Sequence, residues 1–350
     1  MQMRTYALSL TAIALGLFVA VVGANLVIDP QRVFGTGLLP PSRNGNDRYE
    51  RLLEYQAAPQ TYDGLLFGSS RAGVMKLDTL SQEMDGARFA RFSVNGGMIV
   101  DHIAALRYVL RDKATRGERL RAVFLLLDTD SMGQRPFANQ SNQYLMPPAL
   151  SGESPIRFWW KNLITIQPKA WEDALRPPRP ATAEPHRGTE ARQMLGTTMR
   201  ELGLIAAHAN AKPTEPATAP DPRQQVTKRA YYTEQLKLIA QFVALCREHD
   251  IRLEVATSPL SASELLLFDH ADLKTALDDL SRIVPLWDFT DPDWVSGDPS
   301  LWSDFSHFRD QVADMMLRKI FGRETPPAWS LIGHRLPYQG APSGPPLSQN

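Results

Sequence analysis

Two clusters far apart in the chain carry side chains suited to covalent acyl chemistry. Gly68-Ser69-Ser70-Arg71 follows directly on the apolar run Leu65-Leu66-Phe67, and Asp304-Phe305-Ser306-His307 lies toward the other end. An isolated serine hydroxyl is a weak nucleophile. It becomes a strong one when an imidazole takes its proton and a carboxylate holds that imidazole in a single tautomer. Ser70, His307 and Asp304 are the residues that would fill these roles. Their order along the chain suits a site at the carboxyl ends of parallel strands, where loops from distant parts of a sequence converge.

The elements that must position them are legible as alternating patterns. Gly64 to Phe67, Phe89 to Val94, Ala122 to Leu127, Ile251 to Ala256 and Val284 to Phe289 are short apolar runs bounded by polar or turn residues, which predicts buried strands. Helical spacing falls between or after them, over Val100 to Arg111, Tyr231 to Glu248, Leu265 to Ile283 and Phe308 to Phe321. Strands alternating with helices predict an α/β fold with a mostly parallel sheet covered on both faces, here expected as a three-layer α/β/α sandwich of flavodoxin-like type.

Ahead of this body, Thr5 to Ile28 contains no ionisable side chain. As a helix it would extend roughly 36 Å, enough for the hydrocarbon core of a bilayer. Residues 1–28 therefore read as a cytoplasmic end and an uncleaved membrane anchor, with a signal peptide cleaved near Val22-Gly23-Ala24 as the rival; Arg4 favours an inside amino end, a signal diluted by Arg32, Arg43, Arg48 and Arg51 on the other flank. Residues 29–45 read as a juxtamembrane linker and 46–324 as the α/β domain. An insertion at 132–227 interrupts that domain, with an aromatic patch at Phe158-Trp159-Trp160 and a Pro/Ala/Thr-rich tract from Pro177 to Pro222. The patch would either form a local satellite core or meet the membrane surface or an acyl chain. Residues 325–350 are again Pro-rich and are expected to be disordered.

Acidic and basic residues balance at 38 each, which removes the strongly basic field of a general nucleic-acid binder. Cys246 is alone, so the chain has neither an intrachain disulfide nor a thiolate metal cluster. No Walker loop or dinucleotide fingerprint is present, and no cofactor is implied.

Tyr62 to Arg71 resembles the first block of the SGNH/GDSL hydrolase superfamily, with Ser69 in place of the usual Asp and Ser70 at the nucleophile. The Gly-Ser-Ser form is similar to that of membrane-anchored bacterial proteins of lipoteichoic-acid D-alanylation and polysaccharide O-acylation. The resemblance makes Asp304 and His307 the Asp-x-x-His of the last block. It also makes Asn95-Gly96-Gly97 the second block, so that an oxyanion hole would be formed by Ser70, Gly97 and Asn95, with Ser69 as a further donor. The third block should offer an Asn, and the chain has Asp128 there; an ionised carboxylate cannot donate. Arg71 is a candidate for binding an anionic headgroup or phosphate, or a structural ion-pair partner. What the resemblance implies is a periplasmic esterase or O-acyltransferase on the cytoplasmic membrane. It would act on an acylated glycan or envelope polymer, beside a multi-span acyltransferase. A noncatalytic envelope scaffold or glycan-binding subunit is the alternative from a different class.

A second resemblance competes locally. Phe124 to Asp130 looks like the first motif of haloacid-dehalogenase-type phosphatases, in which Asp128 would attack phosphorus and Asp130 act as acid and base, with Mg²⁺ present. Thr257 or Ser258 could stand for their second motif, but Asp278-Asp279 falls inside a helical pattern and supplies no late acidic pair. Metal binding is not expected. His102, His249 and His270 lie in helical patterns and read as surface or partly buried helix residues.

Overall fold

The computed structural model describes residues 2–36, 38, 46–129, 145–175, 233–265, 268, 270–304, 306–323 and 327–338. Asp130, the tract from Pro177 to Pro222 and the last twelve positions lie outside the described residues. The main elements run α1 (Gln2–Ile28), α2 (Asp47–Ala57), β1 (Gly64–Gly68), α3 (Leu77–Glu83), β2 (Phe89–Ser93), α4 (Ile99–Thr115) and β3 (Ala122–Leu127). Then follow α5 (Pro155–Ile164), α6 (Pro168–Leu175), α7 (Thr233–Glu248), β4 (Arg252–Thr257), α8 (His270–Ser281), β5 (Leu286–Asp288), α9 (Asp310–Ile320) and β6 (His334–Leu336). The chain divides into two compact units, one of Met1–Ala57 with Ser141–Gly188, the other of Ala58–Gln140 with Thr189–Asn350.

The larger unit is built on a mixed six-stranded sheet in the order β2-β1-β3-β4-β5-β6. All pairings are parallel except the last, in which β6 runs antiparallel to β5. Two inner strands explain why: every residue of β1 and β3 is buried, and a strand apolar on both faces is stable only when both faces are covered. Alternation then sends successive side chains to opposite sides. Leu66, Phe124 and Leu126 join one apolar cluster with Val312 and Met316 of α9. Phe67 instead meets the rings of His102 from α4 and Phe242 from α7, with centroids 5.4 Å away in each case. His102 is thus more deeply buried than the surface or partly buried place expected of it, while His249 and His270 are exposed.

The carboxyl-terminal segment departs from the expected disorder. Residues 327–338 form a 3₁₀ turn, Pro327–Leu331, followed by β6. Trp329 and Ile332 are the reason: both are buried in the apolar cluster, and Arg318 lies over the Trp329 ring at 5.7 Å. Two large apolar side chains offset the low intrinsic order of a Pro-rich stretch.

The smaller unit contains α1, of which Met3–Ile28, 26 residues, is long and apolar enough to cross a membrane. Residues 46–57, expected in the α/β body, belong here, as does the described part of the insertion, 145–175. Buried amide side chains make the joins. Asn46 Nδ2 donates to the Leu145 carbonyl at 2.6 Å, and Asn25 Nδ2 to the Leu163 and Thr165 carbonyls at 2.7 and 3.1 Å. The Phe158 ring, fully buried, stacks on Tyr49 with centroids 6.0 Å apart.

Candidate active site

Strand β1 delivers the candidate nucleophile. Its last residue, Gly68, has φ 152°, and a Cβ there would come within 2.7 Å of the Ala72 Cβ, so the strand can turn sharply only because this position is glycine. Ser69 caps the 3₁₀ turn Ser70–Val74, its hydroxyl accepting from the Arg71 N–H. Ser70 is consequently the first residue of that turn and half-buried, where a backbone N–H has no intrahelical acceptor.

Its partner comes from a tight loop. Trp302 and Phe308 form an antiparallel bridge, their rings edge to face at 6.2 Å, and the Ser303 N–H donates to the His307 carbonyl at 2.7 Å. Both aromatic residues are buried in the core, so the loop between them is pinned at its base. Within it, Asp304 Oδ1 accepts from the Ser306 and His307 N–H groups at 2.8 and 2.9 Å. Asp304 therefore shapes this loop rather than capping the next helix, which begins at Asp310.

The three side chains meet. Ser70 Oγ lies 2.8 Å from His307 Nε2, and the Asp304 carboxylate lies 2.9 and 2.8 Å from His307 Nδ1 through its two oxygens. A carboxylate can only accept, so Nδ1 carries the proton and Nε2 is left to accept the Ser70 hydroxyl. Burial raises the Asp304 carboxyl, but the hydrogen bonds from the Ser306 N–H and from His307 outweigh it, and the group is held below its ordinary 3.8. The arrangement can take a proton from Ser70 and stabilise the imidazolium that results.

The remaining residues of the proposed oxyanion hole are arranged differently. The Gly97 N–H donates to the Val94 carbonyl at 2.9 Å, closing a turn. Gly97 is buried, and a Cβ on it would stand 2.8 Å from the Gly68 carbonyl oxygen, so its small size lets the loop after β2 pack against the end of β1. Asn95 and Gly96 are exposed beside it.

Arg71 turns inward. Its guanidinium donates to Glu264 and, at 3.2 Å, to Ser258 Oγ, and lies 3.8 Å from Asp128 Oδ1. All three charged groups are buried, and the ion-pair role is the one this geometry displays. One buried cation thus faces two buried carboxyls. Burial pushes Glu264 up to about 7 against the pull of Arg71, with Asp128 adding to the rise. Burial likewise raises Asp128, opposed by Arg71, by the Ser69 hydroxyl, by His307 and by Ser258. Asp128 follows β3 directly, three positions beyond Leu125, which pairs with Phe67 of β1.

Among the residues of the competing phosphatase resemblance, Thr257 Oγ1 donates to Asp288 Oδ1 at 3.0 Å, and Ser258 is held by Arg71. Asp288, Asp291 and His334 bring one potential ligand atom each within 4.8 Å of one another. Asp288 Oδ1 also accepts from the Thr290 N–H and hydroxyl at 2.9 and 2.8 Å, which ties it into the strand ends.

Sequence reasoning missed Glu264 and the Trp302–Phe308 bracket. Ser261-x-x-Glu264 carries a capping-box signature, and the Glu264 N–H does donate to Ser261 Oγ at 3.1 Å, so the helix start was legible. Its link to Arg71 had no sequence signal. No family model matches this chain, and no curated protein matches it in sequence.

Proposed function

We propose that the chain is a membrane-anchored serine esterase or O-acyltransferase of SGNH type, working through an acyl-Ser70 intermediate. The observation that carries this reading is the continuous hydrogen-bonded relay from Ser70 through His307 to Asp304. In the first half-reaction His307 Nε2 takes the Ser70 proton as Oγ attacks the acyl carbonyl, and the imidazolium then protonates the departing alkoxide. In the second, the same imidazole takes a proton from water or from a sugar hydroxyl, which attacks the acyl-enzyme, and the imidazolium returns that proton to Ser70 Oγ as the acyl group leaves. Water gives hydrolysis and a sugar hydroxyl gives transfer.

The developing oxyanion needs donors. The Ser70 N–H supplies the first, and Asp128 stands where the SGNH pattern has an amide, able to donate only in the form that carries a proton, toward which burial pushes it. The strand order supports a flavodoxin-like, three-layer arrangement, with the site at the carboxyl ends of the parallel strands.

The length and apolarity of α1 support a single span; Arg4 at its start favours an inside amino end, which would put the larger unit in the periplasm. There it would meet an acylated glycan or envelope polymer, alongside a multi-span acyltransferase. Alkaline phosphatase fused after Phe321 tests that side: activity is expected, whereas an inactive, stable fusion reverses the topology.

One observation favours a second reading. The Gly97 N–H is engaged by Val94, which weakens the oxyanion hole and suits a noncatalytic scaffold or glycan-binding subunit of the same fold. Fluorophosphonate labelling of the purified full-length protein separates the two. An esterase or transferase gives a single adduct on Ser70 by mass spectrometry, whereas a scaffold gives no site-selective serine adduct.

A further inference from the structure

Helix α5 has two faces of opposite character. Phe158 and Asn162 are buried against the rest of the smaller unit, but Ile156 is 82% exposed and Trp159 and Trp160 are 50% and 52% exposed. Leaving two tryptophans and an isoleucine in water on one short helix forfeits several kcal/mol of burial, at about 1.5–3 kcal/mol for each large side chain. Such a face is normally covered.

What covers it follows from its neighbour. The Trp160 ring packs on Phe18 of α1 with centroids 6.3 Å apart, and Trp159 meets Phe34, beyond the end of α1, edge to face at the same distance. Phe18 lies about 15 Å inside the Ile28 end of α1 at 1.5 Å per residue. The medium that surrounds α1 at Phe18 therefore also surrounds Trp160. The apolar stretch Met3–Ile28 exceeds the roughly 30 Å hydrocarbon core by about 9 Å; with that excess at the Ile28 end, Phe18 sits about 6 Å inside the acyl chains and Phe34 among the headgroups. That is the layer tryptophan prefers.

The seat is fixed rather than accidental. Asn25, one polar side chain within the apolar stretch, is fully buried, and besides its two bonds to the end of α5 its Oδ1 accepts from Trp171 Nε1 of α6 at 2.8 Å. Gln31 Nε2 donates to Gln167 Oε1 at 2.7 Å. An amide left unbonded next to lipid would cost several kcal/mol, and here its bonds lock α5 and α6 against the end of the span.

We infer that α5 lies in the membrane interface, its Ile156, Trp159 and Trp160 face inserted among acyl chains beside α1, as a second attachment to the bilayer. Arg157 and Lys161, on the same helix, are paired with Glu153 at 3.3 and 2.7 Å, away from the Ile156, Trp159 and Trp160 face. This rests on the reading of α1 as a membrane span. The function of the attachment is to hold the smaller unit at one depth.

Nitroxide accessibility of the full-length protein in phosphatidylcholine–phosphatidylglycerol nanodiscs tests it. With Cys246→Ala as background, single labels go to Ile156→Cys on α5, Leu15→Cys on α1 and Glu54→Cys on α2. The expected result is collision with oxygen in excess of a water-soluble nickel chelate at 156 and 15, and the reverse at 54. A label at 156 reached by the chelate, with 15 still in lipid, overturns the proposal while the span stands. A label at 156 shielded from both reagents also overturns it, because protein then covers the face. A label at 15 reached by the chelate removes the span and the proposal together. Quenching of native tryptophan by brominated lipid needs no labelled variant: Trp159→Phe with Trp160→Phe should lose quenching, and unchanged quenching contradicts the inference.

Discussion

Ser70 Oγ and His307 Nε2 stand 2.8 Å apart although 237 positions separate them in the chain. A hydroxyl and an imidazole at that distance act as one unit, so deleting either removes the same function. Ser70→Ala and His307→Ala should each lower the rate on a model acyl ester by at least about a hundredfold, and the double variant should be little worse than either. Single-turnover acyl release checks this, with thermal unfolding run in parallel. Losses that add in the double variant would show that the two side chains work independently.

Asp304 extends the argument to charge. Asp304→Asn keeps an oxygen able to accept from the Ser306 and His307 N–H groups, so the loop should fold. It loses the negative charge beside the imidazolium, and the rate should fall by at least about a hundredfold with Tm nearly unchanged. The wild-type carboxyl has its pKa lowered by folding. The stability from these bonds is therefore present above 3.8 and is lost as pH falls through the lower folded value. In the Asn variant that acid-side loss should be absent from a Tm-against-pH series.

The central sheet was legible because β1 and β3 are unbroken apolar runs, and a parallel strand buried on both faces writes itself into sequence in that way. The edge strand β6 was not: it is three residues, His334–Leu336, within a Pro-rich tail, and its order depends on Trp329 and Ile332 reaching a distant core. Ser70, Asp304 and His307 were readable as chemistry-bearing residue types at the ends of elements. Arg71 with Glu264, and Asn25 with Leu163, were not, since a hydrogen bond across more than a hundred positions has no local pattern. The grouping of residues 46–57 with 145–175 was hidden for the same reason.

Gly97 gives a steric test of how β1 is set. A methyl group there meets the Gly68 carbonyl at 2.8 Å, one peptide away from Ser69. Gly97→Ala should lower stability by about 1–3 kcal/mol, as overpacking does. Fluorophosphonate labelling of Ser70 should slow in the fraction that remains folded. Unchanged labelling would show that the loop after β2 does not set the nucleophile's position.

The buried cluster behind Ser70 gives the last prediction, in which charge and donor capacity separate. If Asp128 serves as a neutral donor, Asp128→Asn keeps a donor and should retain activity. Asp128→Ala removes it and should lose about a hundredfold, the usual cost of an oxyanion donor. An Asn variant as poor as the Ala variant would mean that the site needs the carboxylate itself. Glu264 supplies the pH dependence. Its folded value, about 7, lies above its ordinary 4.5, so between these the folded state binds more protons than the unfolded chain, and stability falls as pH rises through that window. Glu264→Gln keeps the acceptor for Arg71 and removes the surplus acid, so its Tm should be flatter from pH 5 to pH 8, a range about that window. Wild-type activity should decline on the alkaline side as Glu264 loses its proton and adds a negative charge behind Ser70, and Glu264→Gln should hold its rate there.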